Sequence, residues 1–272
     1  PDTGWHQIIV TADPFDEVDE CIEDNNEYSE WFYVKSQKAE LYTSYDNLTV
    51  DDPDAVEGNT VTFRALVGNS SCASANNFNV YFGLNGQPYT DNPNVPVAGI
   101  DPETTLLVEH PESWTVDFNK CPLEVYVDAD STIDEYNEGN NYGIVPMPYD
   151  FQVYYGSRCP QYYNPSPYFF NVCSASTSDT VTINISIRNA GLFNFNDSLQ
   201  VNIYDSLAGD PSSDTIECRY VPGPYFNHKT NIVSDSYTHS FTEAGTHYIT
   251  LEINPTHTIM ECNYNNNSIT YS

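Results

Sequence analysis

Fifteen consecutive residues, 12–26, return in register at 127–141 and again at 253–267, and this repetition constrains the fold more than any other feature of the chain. The alignment needs no gap. It places Asp13, Asp128 and Asn254 at one position, Val18, Ile133 and Ile259 at the next apolar position, then Glu20, Glu135 and Glu261. Each copy ends on an asparagine pair, Asn25-Asn26, Asn140-Asn141 or Asn266-Asn267. The copies stand 115 residues apart (128 minus 13) and then 126 apart (254 minus 128). Such spacing is one ordinary domain and far exceeds a solenoid repeat, so the unit is a module able to bury its own core. The motif closes both later modules, and its first copy is therefore expected to close a module whose front half lies outside this sequence. The expected division is 1–35 as the closing part of a preceding module, 37–147 as one complete module and 149–272 as another.

The modules read as β-structure. Thr180 to Asn189 alternates strictly, with Val181, Ile183, Ile185 and Ile187 on one face and Thr182, Asn184, Ser186 and Arg188 on the other, the pattern of a half-buried strand. Leu199, Val201 and Ile203 repeat it, and Val61, Phe63, Ala65 and Val67 give the matching strand in the preceding module. Each repeated motif is entered by one more alternating strand, through Ile8 and Val10, Leu123 and Val125, or Ile249 and Leu251. Short alternating segments, 18 prolines and many Asn and Gly turn points predict an all-β chain of tandem immunoglobulin-like antiparallel β-sandwiches. Within the motif, the apolar residue is expected to anchor a loop on the core. The Glu carboxylate can accept main-chain N–H groups that no ladder satisfies, and Asn tolerates positive φ.

The net charge of −31, from 39 acidic and 8 basic residues, disfavours nucleic acid and anionic membrane surfaces as partners. No apolar run approaches the roughly 18 residues that a membrane-spanning helix requires. Seven cysteines divide as Cys21 in the first segment, Cys72 and Cys121 in the first complete module, and Cys159, Cys173, Cys218 and Cys262 in the second. No CxxC pair points to zinc or redox chemistry. An even count per complete module favours disulfides and an extracellular setting, with Cys72–Cys121, Cys159–Cys173 and Cys218–Cys262 expected, although four cysteines allow three connectivities.

The tail motif, with its Asp-Pro, apolar, Glu and Asn-Asn elements, resembles that of the CARDB family, the cell-adhesion-related domains found in bacteria. Residues 39–44 and 56–69 are similar to the family's opening strand and its alternating "Glu-Gly to Asn" element, and 179–191 repeats the latter. Asn254 in place of Asp, Ala129 in place of Pro, and a Tyr-rich stretch at 154–173 depart from the pattern. The resemblance implies a non-catalytic, extracellular cell-surface module, often part of very long adhesins such as those of Bacteroidota, and brings no catalytic residues with it. Neighbouring modules of the same long chain are the expected partners, with surface glycans or other copies of a filament as further ones. Two other readings are a carbohydrate-binding or accessory region of a secreted enzyme, and a filament subunit that polymerises by strand donation.

Acidic loops also raise calcium, which takes oxygen ligands. Asp128, Asp130 and Glu135 are the candidates in one copy and Asp13, Asp16 and Glu20 in another, whereas the last copy offers Asn254 and Thr256. A hydrogen-bonded structural Glu is the preferred reading, and no cofactor is required. Asn47, Asn69, Asn184, Asn196 and Asn266 fit the N-x-Ser/Thr acceptor pattern, and Ser131, Thr180, Ser198, Ser206 and Thr215 each follow Asp in a short O-glycosylation-like pattern, with Ser198 or Ser206 preferred at a turn.

Overall fold

Every sheet in the computed structural model draws its strands from a single segment, before residue 38, between 39 and 147, or after 149. The structure describes residues 4–15, 17–19, 22, 25–34, 38–153, 175–177, 179–209, 214–221, 226 and 232–272. Residues 4–34 contain one antiparallel hairpin, β1 (Gly4–Thr11) with β2 (Glu27–Val34).

The first complete module contains β3 (Leu41–Tyr42), β4 (Leu48–Val50), β5 (Thr60–Val61), β6 (Phe63–Asn69), β7 (Ala75–Leu84), β8 (Gln87–Pro88), β9 (Asn94–Ile100), β10 (Thr104–Glu109), β11 (Trp114–Thr115), β12 (Leu123–Val127) and β13 (Tyr142–Val145). One sheet runs β10-β6-β3, with β4 also on β6; a second runs β13-β12-β7, with β8 and β9 on β7; and β11 pairs with β5 in a short two-stranded piece. The second module contains β14 (Phe151–Val153), β15 (Thr180–Asn189), β16 (Leu199–Leu207), β17 (Asp214–Val221), β18 (Ile232–Ser240), β19 (His247–Ile253) and β20 (Ser268–Tyr271). Its sheets are β14-β15-β18 and β17-β16-β19-β20. The ladders between strands of the described residues are antiparallel, and both modules are immunoglobulin-like β-sandwiches.

Alternation determines which face is buried. Val181, Ile183, Ile185 and Ile187 of β15 lie inside, as do Leu123, Val125 and Val127 of β12 and Ile249, Leu251 and Ile253 of β19. A fully buried aliphatic or Phe side chain contributes roughly 1.5–3 kcal/mol. Phe63, Phe78 and Phe82 fill one sandwich; Phe151, Phe193 and Phe226 fill the other. The β1–β2 hairpin has the same register but no covering sheet among the described residues. Ile8 is 54% exposed and Val10 59%, whereas their counterparts Leu123, Val125, Ile249 and Leu251 are buried.

Direct contacts join the two complete modules. The Tyr45 hydroxyl donates to the Ala190 carbonyl at 2.5 Å, and Arg188 reaches the same hydroxyl. The Asn194 N–H donates to the Pro53 carbonyl at 2.8 Å, while the side-chain amides of Asn194 and Asn196 both donate to Asp54. A Cβ on Gly191 would fall 2.5 Å from the Pro148 carbonyl, so only glycine lets these backbones meet. Phe118 packs against Tyr149 and Phe193, making the apolar contact continuous across the joint.

The disulfide pairing corrects the sequence expectation. Cys121 is joined to Cys262, with Cα atoms 5.7 Å apart and a sequence separation of 141 residues. Cys72 and Cys218, expected to pair with these two, are exposed free thiols. The reason lies in the joint: the Cys262 N–H donates to the Tyr149 carbonyl, and the Tyr149 ring packs on Phe118 in the segment leading into β12. Counting cysteines within modules misses a staple that crosses between them. The expected Cys159–Cys173 pair, Cys21 and the Tyr-rich stretch at 154–170 lie outside the described residues.

Candidate functional site

The repeated motif forms a latch that ties the last hairpin of each sandwich to its first strand. Its opening residue has positive φ in all three copies: 41° at Asp13, 51° at Asp128 and 48° at Asn254. Asp and Asn enter this left-handed region at lower cost than other side chains, and their short polar groups can cap the loop that follows. Asp13 accepts from the N–H groups of Glu17 and Val18 at 3.0 and 2.7 Å. Asp128 accepts from those of Thr132 and Ile133 at 3.1 and 2.9 Å. Asn254 accepts from the Ile259 N–H at 3.2 Å. The capped residue is the motif's apolar position, and Ile133 and Ile259 pack against the core.

Glu135 and Glu261 each reach the first strand of their own sandwich. Glu135 Oε2 accepts from the Leu41 N–H at 2.5 Å, and its Oε1 accepts from Asn141 Nδ2 at 2.8 Å. Glu261 Oε2 accepts from the Phe151 N–H at 2.8 Å. Its Oε1 accepts from Asn254 Nδ2 at 2.6 Å and Asn267 Nδ2 at 2.7 Å. Without these carboxylates, the N–H groups of Leu41 and Phe151 would lose these partners inside the protein. Both carboxyls are buried among neutral donors, and burial pushes each up to about 7 despite those hydrogen bonds. Glu20 lies outside the described residues.

Several partners of the latch were not singled out in the sequence. Glu40, immediately before Leu41, accepts from the N–H groups of Tyr136 and Asn137 and from Asn140 Nδ2, so it holds the loop from the opposite side. Asp150, immediately before Phe151, accepts likewise from Asn266 Nδ2 at 2.9 Å. Asn69 and Asn189 complete the wiring. Each side-chain oxygen accepts from the N–H of the acidic residue, Glu40 or Asp150, and each amide donates to two carbonyls of other loops and strand ends. Asn69 is buried with its amide committed, which corrects its candidacy as a glycan acceptor. Ser206 also departs from expectation, since it lies within β16 and not at a turn.

The calcium candidates separate. Asp128 and Glu135 come together, but the third carboxylate is that of Glu138, and the three offer oxygens within 4.8 Å of one another. Asp130 instead accepts from Asn79 Nδ2 at 2.9 Å, on an exposed side of the loop. In the second module Asn254 directs an amide donor at Glu261, and the Tyr264 hydroxyl accepts from the Glu261 N–H where Glu138 accepts from that of Glu135. The last copy thus replaces two carboxylates with neutral groups, and Thr256 bonds to Thr258. Asp13 directs both oxygens to main-chain donors, and Asp16 lies outside the described residues.

Comparison with known proteins returned a family and several partial overlaps. The family model described as CARDB matches residues 39–144. No curated protein matches the chain. A crystal structure of the CARDB domain of a Pyrococcus furiosus protein, in complex with di-metal ions, is 18% identical, covering 41% of this chain and 93% of that one at a TM-score of 0.34. A solution structure of the same Pyrococcus furiosus domain is 21% identical, covering 40% and 93% at 0.32. A β-glycosidase from Bacteroides vulgatus is 11% identical, with 87% of this chain lying over 25% of that one at 0.30. The matched segment starts just before the first strand of the first sandwich and ends within β13, so it contains one complete latch. The CARDB likeness is therefore that of the first sandwich, residues 39–144 of the 272.

Proposed function

We propose that the chain is a non-catalytic part of a long extracellular, cell-surface adhesin or filament, in which the sandwiches act as stiff spacer and adhesive modules. The observation that carries this reading is the joint. A disulfide spanning 141 residues, hydrogen bonds on both sides of it and a continuous apolar seam hold one sandwich against the next. A chain whose work is reach and orientation needs such a joint. The buried carboxylates of the motif are occupied with main-chain N–H groups, which is structural work. On this reading the second sandwich is a divergent copy of the first, because its latch reproduces the same wiring with Asp150, Asn189 and Glu261 in place of Glu40, Asn69 and Glu135.

The hairpin at 4–34 supports the same picture. Its apolar face, buried at the equivalent positions of both sandwiches, is open here, as expected for the closing hairpin of a further module. Force spectroscopy on the chain tethered at both ends tests the spacer reading. The expected result with the disulfide intact is a stiff extension curve with unfolding confined to the chain outside the 121–262 loop, and a further event from the second sandwich once the bond is reduced. Smooth extension at low force would overturn it.

Calcium is a second reading, supported by the Asp128, Glu135 and Glu138 oxygens. Calcium–oxygen distances of about 2.3–2.6 Å place the ligands of one ion within roughly 5 Å of each other, which these three satisfy. Isothermal titration with calcium chloride should give one site per chain, lost in Glu138→Gln. Heat without saturation would end this reading.

A further inference from the structure

The outer face of the first sandwich has a feature that the second lacks. Tyr81 of β7, Tyr126 of β12 and Tyr142 of β13 stand opposite one another in register and form a row across three adjacent strands, with Asn94 of β9 next in line. The ring centroids of Tyr81 and Tyr126 are 5.8 Å apart and those of Tyr126 and Tyr142 4.5 Å. Glu124 lies two residues along β12 on the same face, directly opposite Gly83. A Cβ on Gly83 would meet the Tyr81 ring at 2.9 Å, so the glycine lets that ring lie down over the strand beside Glu124. Tyr81, Gly86, Glu124, Tyr126 and Ala129 line an open cleft of about 350 Å³.

The Glu124 carboxylate makes no hydrogen bond or salt bridge to any described residue, although the residue is only partly exposed. Its charge is nevertheless felt: burial first and Glu124 second push the Tyr81 hydroxyl up, and the same causes push that of Tyr142 up to about 12. The second sandwich provides an internal control. The positions of Tyr81, Tyr126 and Tyr142 are occupied there by Asn202, Glu252 and Ser268. Its carboxylate is satisfied internally, because the Tyr204 hydroxyl donates to Glu252 at 2.9 Å and accepts from Asn202. The sandwich is therefore built without the tyrosine row or the unpaired acid.

We propose that this cleft binds the guanidinium group of an arginine in a basic segment of a partner protein. Phenol rings attract a cation through their faces, and a carboxylate and hydroxyl oxygens receive the N–H donors that a planar guanidinium presents in fixed directions. Charge points to the same occupant. With 39 acidic residues the chain draws in a basic partner, and with 8 basic residues it is a poor source of such a segment for another copy of itself. The inference deepens the adhesive part of the function proposed above by naming what one module would hold, and it rests on that part alone.

The test is a two-dimensional 1H–15N NMR titration of the whole chain with a capped Gly-Arg-Gly-Arg-Gly peptide, run beside cellohexaose and a capped Gly-Gln-Gly-Gln-Gly peptide. The expected result is saturable shifts confined to the amides around Tyr81, Glu124, Tyr126 and Tyr142, weakened by added salt. Affinity should fall about three- to five-fold in Glu124→Gln, the range for losing one partly exposed charge partner. Glu124→Gln keeps size and shape; Tyr126→Ala, checked by an unchanged spectrum elsewhere, should weaken binding similarly. Shifts scattered over the acidic surface, equal affinity in Glu124→Gln, or saturable binding of cellohexaose in place of the arginine peptide would each overturn the proposal. None of these results bears on the force measurement, so the spacer reading fails or survives separately.

Discussion

Replacing Glu261 with glutamine, and comparing stability at pH 5 and pH 8, probes the latch through its protonation. The folded protein holds the Glu261 proton up to about pH 7, whereas an ordinary glutamate loses it near 4.5. Between those values the folded state binds more protons than the unfolded one, so its stability falls as pH rises through the window. At about 1.4 kcal/mol per pH unit, the full window corresponds to an upper figure of about 3 kcal/mol for this carboxyl, and Glu135 adds a second contribution of the same sign. The glutamine side chain in Glu261→Gln would still accept from the Phe151 N–H. Its amide would, however, face Asn254 Nδ2 or Asn267 Nδ2, donor against donor, at a cost of about 1–2 kcal/mol. Urea unfolding of both proteins should therefore show wild type falling in stability from pH 5 to pH 8 and the variant falling less, so that the wild type's advantage shrinks and, at the upper figure, reverses by pH 8. General charge repulsion acts on both proteins alike and cancels in the difference. Parallel profiles, or a wild-type advantage that grows toward pH 8, would refute the assignment.

Other outcomes follow from the same geometry. Asp128→Ala should destabilise the first sandwich by about 1–3 kcal/mol, because it loses the caps on Thr132 and Ile133 and puts a Cβ residue with no local polar contact at positive φ; Asp128→Asn should cost less, and thermal melting separates the two. Serine at both Cys121 and Cys262 frees a loop of 141 residues, worth up to about 5 kcal/mol in chain entropy, so unfolding should begin at a lower urea concentration with both latches intact by NMR. Gly191→Ala should loosen the joint without unfolding either core, since the added Cβ meets the Pro148 carbonyl, and limited proteolysis near residue 148 should accelerate.

Local patterns carried the strands, and the tail repeat carried the latch. Alternation identified β15, β16, β6 and the strand entering each motif, because a sandwich buries every second residue of its inner faces. The shared role of Asp13, Asp128 and Asn254 was partly legible too, as short side chains suited to positive φ. Glu40 and Asp150 were not, because they meet the motif across roughly a hundred residues or more and neither belongs to the repeated segment. Glu138 was hidden for a different reason. It varies between copies, with Tyr264 taking its place through a hydroxyl, so a search for shared residues passes over it. The cysteine pairing depended on how one sandwich sits against the next, and no spacing within either module encodes that. The tyrosine row emerges only after three strands are placed in register, since Tyr81, Tyr126 and Tyr142 have no special spacing along the chain.

Residual dipolar couplings measured on the oxidised chain in a weakly aligned medium test most directly whether the two sandwiches form one fixed unit. A single alignment tensor should fit the amides of β3 to β13 and of β14 to β20 together, in the orientation set by the Cys121–Cys262 bond and the Tyr45, Asp54 and Phe118 contacts. Two tensors of different magnitude would mean that the modules reorient independently, and the account of a stiff joint would be wrong.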